Sequence, residues 1–146
     1  MKKLATVLLV LSFVVISSHL YYVFRTIYGV DVHEMAVSTQ SLTERYQYHR
    51  SIQLLISDLD PDALKYLINA DCGGGSGCYD HGKTLVQVLI KVGDHSFSKI
   101  IPKLHKEESE RLLSLLSAGY EYGGFPEWSD LKGQFPLTFR TFDEKV

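Results

Sequence analysis

The chain has 146 residues, 45% of them hydrophobic and 22% charged, with a formal net charge of −2. That is one domain's worth of sequence. Its charge is uneven: residues 30–146 carry 12 basic against 17 acidic residues, a net of −5, which argues against a nucleic-acid partner because phosphate binding needs a basic surface.

Lys2-Lys3 precedes an uncharged apolar run from Leu4 to Ile16, the layout of a secretory signal. The cleavage region is poor. Ile16 is bulky beside Ser17-Ser18, and no Cys follows to accept a lipid. The apolar character continues through Leu20-Tyr21-Tyr22-Val23-Phe24, and Arg25 is the first charge after Lys3. Leu4 to Phe24 is 21 residues, enough to cross a bilayer at about 1.5 Å per residue. Tyr21 and Tyr22 suit an interfacial aromatic belt. Residues 1–29 therefore read as an uncleaved signal-anchor, touching lipid through residues 4–24. The positive-inside rule leaves Lys2 and Lys3 in the cytoplasm and the rest outside. That places a single-pass protein in a bacterial inner membrane, its folded part in the periplasm.

Residues 26–38 read as a tether, with a linker at 30–40 and a folded domain at 41–146. Ser41-Leu42-Thr43-Glu44 predicts a capping box. Leu42, Tyr46, His49, Ile52 and Ile56 recur at helical spacing and predict one buried face. Asp60 and Pro61 predict a cap and a first helical position, and Leu64, Leu67 and Ile68 the apolar stripe of a second helix. Together they predict a helical hairpin.

Residues 70–81 read as a glycine-rich loop. Cys72 and Cys78, the only cysteines, predict a disulfide across it in an oxidising compartment. A metal site from Cys72, Cys78, Asp80 and His81 is disfavoured because the paired C-x-x-C spacing is missing. Leu85 to Val92 fits either a strand, from its alternating β-branched residues, or a short helix buried on every side. Phe97, Ile100, Ile101 and Leu104 form a helical stripe interrupted by Pro102. Acidic residues from Glu107 followed by four leucines give the clearest helix, which Gly119 is placed to end. Tyr120 to Leu137 reads as a long aromatic loop, and 138–146 as a short charged tail.

Gly77 to Thr84 also spells the phosphate-binding pattern G-x-x-x-x-G-K-[ST]. The pattern needs a buried strand before it. Residues 61–69 look helical instead, and Asp80 would repel phosphate. The same letters resemble an ankyrin repeat: Asp80-His81-Gly82-Lys83-Thr84-Leu85 looks like its turn and helix start. Residues 130–137, with Phe135-Pro136-Leu137, echo it. Leu115-Leu116-Ser117-Ala118-Gly119 and Tyr66 to Cys72 look like the ends of second helices. The interval from Gly82 to Gly133 exceeds the family's usual period.

The resemblance implies an all-α fold: an ankyrin-like stack of helical hairpins with long connecting loops, plus the N-terminal transmembrane helix. It also implies protein binding without catalysis or cofactor. Its loops would expose Tyr79, His81, Tyr120, Tyr122, Phe125, Glu127, Trp128 and Asp130 as a partner-binding surface, aromatics with an acidic rim. The architecture is similar to periplasmic immunity proteins that neutralise secreted toxins, such as lipase-like effectors of type VI secretion. Other readings are an accessory subunit of an inner-membrane complex and a P-loop enzyme.

Overall fold

A computed structural model describes residues 2–33, 40–125 and 128–146, with side chains in the first helix described for 6–17 and in the seventh from Asp130 onward. The described chain is mostly helical. α1 (Lys2–Arg25) leads into a two-stranded antiparallel hairpin, β1 (Thr26–Ile27) and β2 (Val30–Asp31). Then come α2 (Leu42–Asp58), α3 (Pro61–Asn69), α4 (Ser76–Val92), the single turn α5 (Asp94–Phe97) and a 3-10 turn at Ile101–Lys103. α6 (Lys106–Tyr122), α7 (Trp128–Gln134) and α8 (Pro136–Lys145) complete it.

In α1 every large hydrophobic from Val7 to Ile16 is more than half exposed, around the whole helix. Its main contact is with β1, the strand that follows it. Among the described residues no helix is long and apolar enough to cross a membrane.

Residues 26–33, the described part of the segment read as a tether, are part of the fold. Val30 and Val32 are buried in the core. The Asp31 N–H donates to Gln87 Oε1 at 2.8 Å, and Thr84 Oγ1 donates to the Asp31 carbonyl at 3.2 Å. The hairpin is thereby fastened to α4.

α2 opens with the predicted capping box. The Glu44 N–H donates to Ser41 Oγ at 3.3 Å, and the Ser41 N–H donates to Glu44 Oε2 at 2.7 Å. The buried face differs from the predicted one. Tyr48, Ser51, Ile52 and Leu55 face the core, whereas Leu42 and Tyr46 are exposed. Both stripes have helical spacing, and only the position of α3 and α4 selects between them. The turn into α3 follows expectation: Asp60 accepts the Asp62 N–H at 2.9 Å, Pro61 opens the helix, and Leu64, Leu67 and Ile68 are buried.

The glycine-rich loop is shorter than predicted. Gly73, Gly74 and Gly75 take positive φ (69°, 77° and 50°), and α4 begins at Ser76. Cys78, Tyr79, Asp80, His81 and Gly82 are therefore helical, not loop, and Leu85–Val92 continues the same helix rather than forming a strand. Cys72 and Cys78 are joined by a disulfide, with Cα atoms 4.9 Å apart.

α4 packs most closely against α6. At their crossing the backbones touch through two glycines. A Cβ on Gly82 would collide with the Leu115 carbonyl and lie 2.8 Å from Gly119 Cα; one on Gly119 would overlap the Gly82–Lys83 peptide. Gly119 thus does not end α6, which runs on to Tyr122.

Residues read as a long loop and a charged tail form α7 and α8, and Phe135, Phe139 and Phe142 enter the core. α8 has no cap of its own at Phe135. Asp94 supplies one from α5: its carboxylate accepts the Leu137 and Thr138 N–H groups at 2.9 and 2.7 Å. At the other end Lys145 Nζ donates to the carbonyls of Ile101 and Pro102 at 3.2 and 2.7 Å.

Gly82→Ala and Gly119→Ala are each expected to destabilise the protein by about 2 kcal/mol or more. Overlap with backbone outweighs the ~1 kcal/mol that Ala contributes through helix propensity. Gly133→Ala, where a Cβ meets nothing within 4 Å, is expected to be neutral or stabilising; urea titration of the three variants checks the contrast. Asp94→Ala is expected to lower stability by about 1–2 kcal/mol, with hydrogen exchange accelerating in α8 while α4 stays protected.

Candidate functional site

The expected partner-binding residues divide sharply by burial. His81 and Tyr120 are 1% and 3% exposed, so neither offers a surface. Phe125 packs against the core, its ring stacked on Tyr120 at 5.5 Å between centroids. His81 and Tyr120 belong to the interior because α4 starts early and α6 ends late, whereas Phe125, beyond the end of α6, is half-buried against the core. Asp130 is exposed near the start of α7. Glu127 and the side chain of Trp128 lie outside the described residues.

Tyr79 and Tyr122 remain, 39% and 60% exposed. Their rings stack with centroids 4.1 Å apart and planes 22° off parallel. The glycine crossing explains the pairing. Tyr79 lies three residues before Gly82, and Tyr122 three residues after Gly119. Antiparallel helices meeting at the glycines bring one turn of each together on the same side. Glu121 sits next to the pair and, with Tyr79, holds the Tyr122 phenol above its usual range. The disulfide adjoins Tyr79 through Cys78 and fixes the first turn of α4.

The phosphate-loop letters have a different role. Gly82, Lys83 and Thr84 lie in the middle of α4, where their amides belong to the helix ladder and cannot wrap an anion. Thr84 is buried and donates to the Asp80 carbonyl at 3.1 Å as well as to that of Asp31. With both cysteines oxidised, neither presents a thiolate to a metal.

His81 is the centre of a buried polar pair. Its Nδ1 lies 2.7 Å from the Tyr48 hydroxyl. Tyr48 is fully buried, and burial pushes its phenol well above the usual range, so Tyr48 donates and His81 accepts. The ring hydrogen then sits on Nε2, which among the described residues has no partner within hydrogen-bond geometry. Burial pushes the imidazole down to about 4; a loosely aligned Leu67 main-chain interaction opposes this and Arg111 adds to it. Protonation would place a hydrogen on Nδ1 and reverse the bond, with the Tyr48 oxygen accepting, and would leave a cation buried in the core.

A second concave feature lies where the hairpin crosses α2, and sequence analysis did not read it as a site. It encloses about 510 Å³ between Tyr28 on the hairpin turn and Tyr46, His49, Arg50 and Gln53 on α2. Tyr46, His49, Arg50 and Gln53 fall on one helix face by their spacing. That is the face sequence analysis had turned partly toward the core.

Because the folded pKa of His81 is depressed from 6.5, its contribution to stability is complete above about pH 6.5 and is lost as pH falls toward about 4. The loss is expected to reach on the order of 3 kcal/mol. Urea titrations across that window should show a steeper decline for the native chain than for a Tyr48→Phe/His81→Leu double variant, in which both partners are removed together.

Comparison with protein-family models, with characterised proteins and with solved structures finds no match to this chain.

Proposed function

We propose that this chain is a membrane-tethered protein-binding module whose contact surface is centred on the Tyr79–Tyr122 stack. The observation that carries the reading is that stack. Two large aromatic rings are held face to face at the surface, fixed by the helix crossing beneath them and beside a disulfide. Tyrosine offers large amphipathic contact area, and a ring already immobilised loses little further entropy on association. Glu121 supplies an acidic edge that would steer a basic partner.

α1 is read as the tether. A helix exposing Val7 to Ile16 around its whole circumference has no polar side to present to water. Ser12 turns its hydroxyl back to the Leu8 carbonyl at 2.9 Å, the local satisfaction that a serine in lipid needs. With residues 4–24 in the inner membrane, the body would lie in the periplasm, where a disulfide persists.

Within this class, the finer reading is an immunity protein that neutralises a secreted, lipase-like toxin of type VI secretion. It rests on the ankyrin-like resemblance and on analogy of architecture. A scaffold of this kind needs a tether, a stable body and one tight interface. An accessory subunit of a membrane complex is the second reading, favoured by the exposed apolar surface of α1 from Val7 to Ile16.

Tagged full-length chain, captured from its native envelope, is expected to retain one stoichiometric secreted protein. Tyr122→Ala should reduce that capture at least ten-fold with unchanged thermal stability. Retention of membrane proteins alone, indifferent to Tyr79 and Tyr122, would move the interface to α1 and to the subunit reading.

A further inference from the structure

We infer that the pocket under the β1–β2 hairpin binds the phosphate-bearing headgroup of an anionic phospholipid, with Arg50 as the cation and Tyr28 and Tyr46 as flanking hydrogen-bond donors. The choice of a lipid as the phosphate source rests on the reading of α1 as a membrane tether.

Four observations converge on this site. The first is its chemistry. Tyr28, Tyr46, Arg50 and Gln53 bring hydroxyl, guanidinium and amide donors to one cavity of about 510 Å³, over Ile27 and Leu54, and none of its described lining residues is a carboxylate. Its size lies within the range of small-molecule sites, and its mixture of donors and apolar floor suits a headgroup with adjoining glycerol. A guanidinium at such a site can pair with a phosphate through two parallel hydrogen bonds.

The second is charge. Among the described residues Arg50 has no ion-pair partner; the surface pairs are Lys65–Asp62, Lys106–Glu110 and Arg140–Glu144. Lys91 stands on the other side of the same turn, its Nζ 3.8 Å from where a Cβ on Gly29 would be. Asp31, the acid of the hairpin, accepts the Thr26 hydroxyl at 3.1 Å. His49 is held below the usual histidine range by burial and by Arg45, so the positive charge here is that of Arg50.

The third is strain. Tyr28 and Gly29 have φ of 51° and 80°, the left-handed pair of a tight hairpin turn. Asparagine or glycine occupies the first position readily, whereas a bulky aromatic is strained there. The strained residue is the one whose ring forms the pocket wall and which is 51% exposed. Strain at a ligand-facing position marks a side chain held for contact rather than for folding.

The fourth is place. β1 begins at Thr26, directly after α1 ends at Arg25. If α1 enters lipid, the pocket lies at the level of the headgroups, where tyrosine and basic side chains are favoured.

The test uses the full-length chain in nanodiscs of mixed phosphatidylglycerol and phosphatidylcholine, released for native mass spectrometry. One phosphatidylglycerol per chain should remain bound, in preference to phosphatidylcholine. Arg50→Gln should reduce its retention at least ten-fold. Tyr28→Asn should reduce retention several-fold while raising the melting temperature, because it removes both the donor and the strain; a purely structural tyrosine would not separate the two. Equal retention of both lipids, or retention indifferent to Arg50→Gln, overturns the inference. Flotation with vesicles of phosphatidylcholine alone reads the tether independently of the pocket. If the chain does not float, titration with glycerol 1-phosphate decides the site. Arg50-dependent binding keeps phosphate recognition with a soluble source, and its absence overturns it.

Discussion

Two helix backbones in van der Waals contact organise this molecule. Where α4 crosses α6, Gly82 and Gly119 remove the side chains that would otherwise hold the axes 8–10 Å apart. Glycine in a helix interior costs roughly 1 kcal/mol in propensity at each position, so the contact must recover that through closer packing on either side. Leu85, Val86 and Leu89 of α4 and Leu112 and Leu116 of α6 are fully buried around it. The crossing also sets the surface. The same antiparallel register that joins the glycines stacks Tyr79 on Tyr122, so the candidate interface is one turn removed from the most constrained point of the core.

The remaining elements attach to this pair by polar bonds that span long stretches of sequence. The hairpin is fixed by Thr84 and Gln87, α2 by the Tyr48–His81 bond, and α8 by Asp94. Apart from the exposed Asp31–Gln87 bond, each connects buried or half-buried groups where an unpaired donor or acceptor would be expensive. Such bonds specify one arrangement of the helices more sharply than apolar burial does, because leucines tolerate sliding and a buried hydroxyl does not.

Much of the local structure was legible in the sequence. Ser41-x-x-Glu44, Asp60-Pro61 and the acidic start of α6 are short-range signals whose chemistry acts within one turn, and each was realised. The disulfide followed from the cysteine count. Tertiary selection was not legible. The stripe through Leu42 and Tyr46 has the same periodicity as the one through Tyr48 and Leu55, with Ile52 predicted buried and found so, and only α3 and α4 decide which is buried. Gly82 and Gly119 read as punctuation because an isolated glycine signals a turn far more often than a close helix crossing. That error propagated. It opened α4 too late and closed α6 too early, and it assigned His81 and Tyr120 to a surface they do not reach. The pocket left almost no trace, since Tyr28-Gly29 is an atypical hairpin turn and its other walls lie on the misassigned face of α2.

The clamp on α8 has a consequence for the order of folding. Asp94 reaches Leu137 and Thr138 across 43 and 44 positions, and Lys145 returns to Ile101 across 44. By contrast α2 and α3 meet through a two-residue turn and close a short loop. Loop closure grows more costly with separation, so contacts of long span form late. The α2–α3 hairpin is placed to condense early. The α5 region waits for α8, and until then Phe97, Ile100 and Ile101 lie uncovered on that side. The segment from Asp94 to Leu104 is then the stretch most open to misassociation while the chain folds.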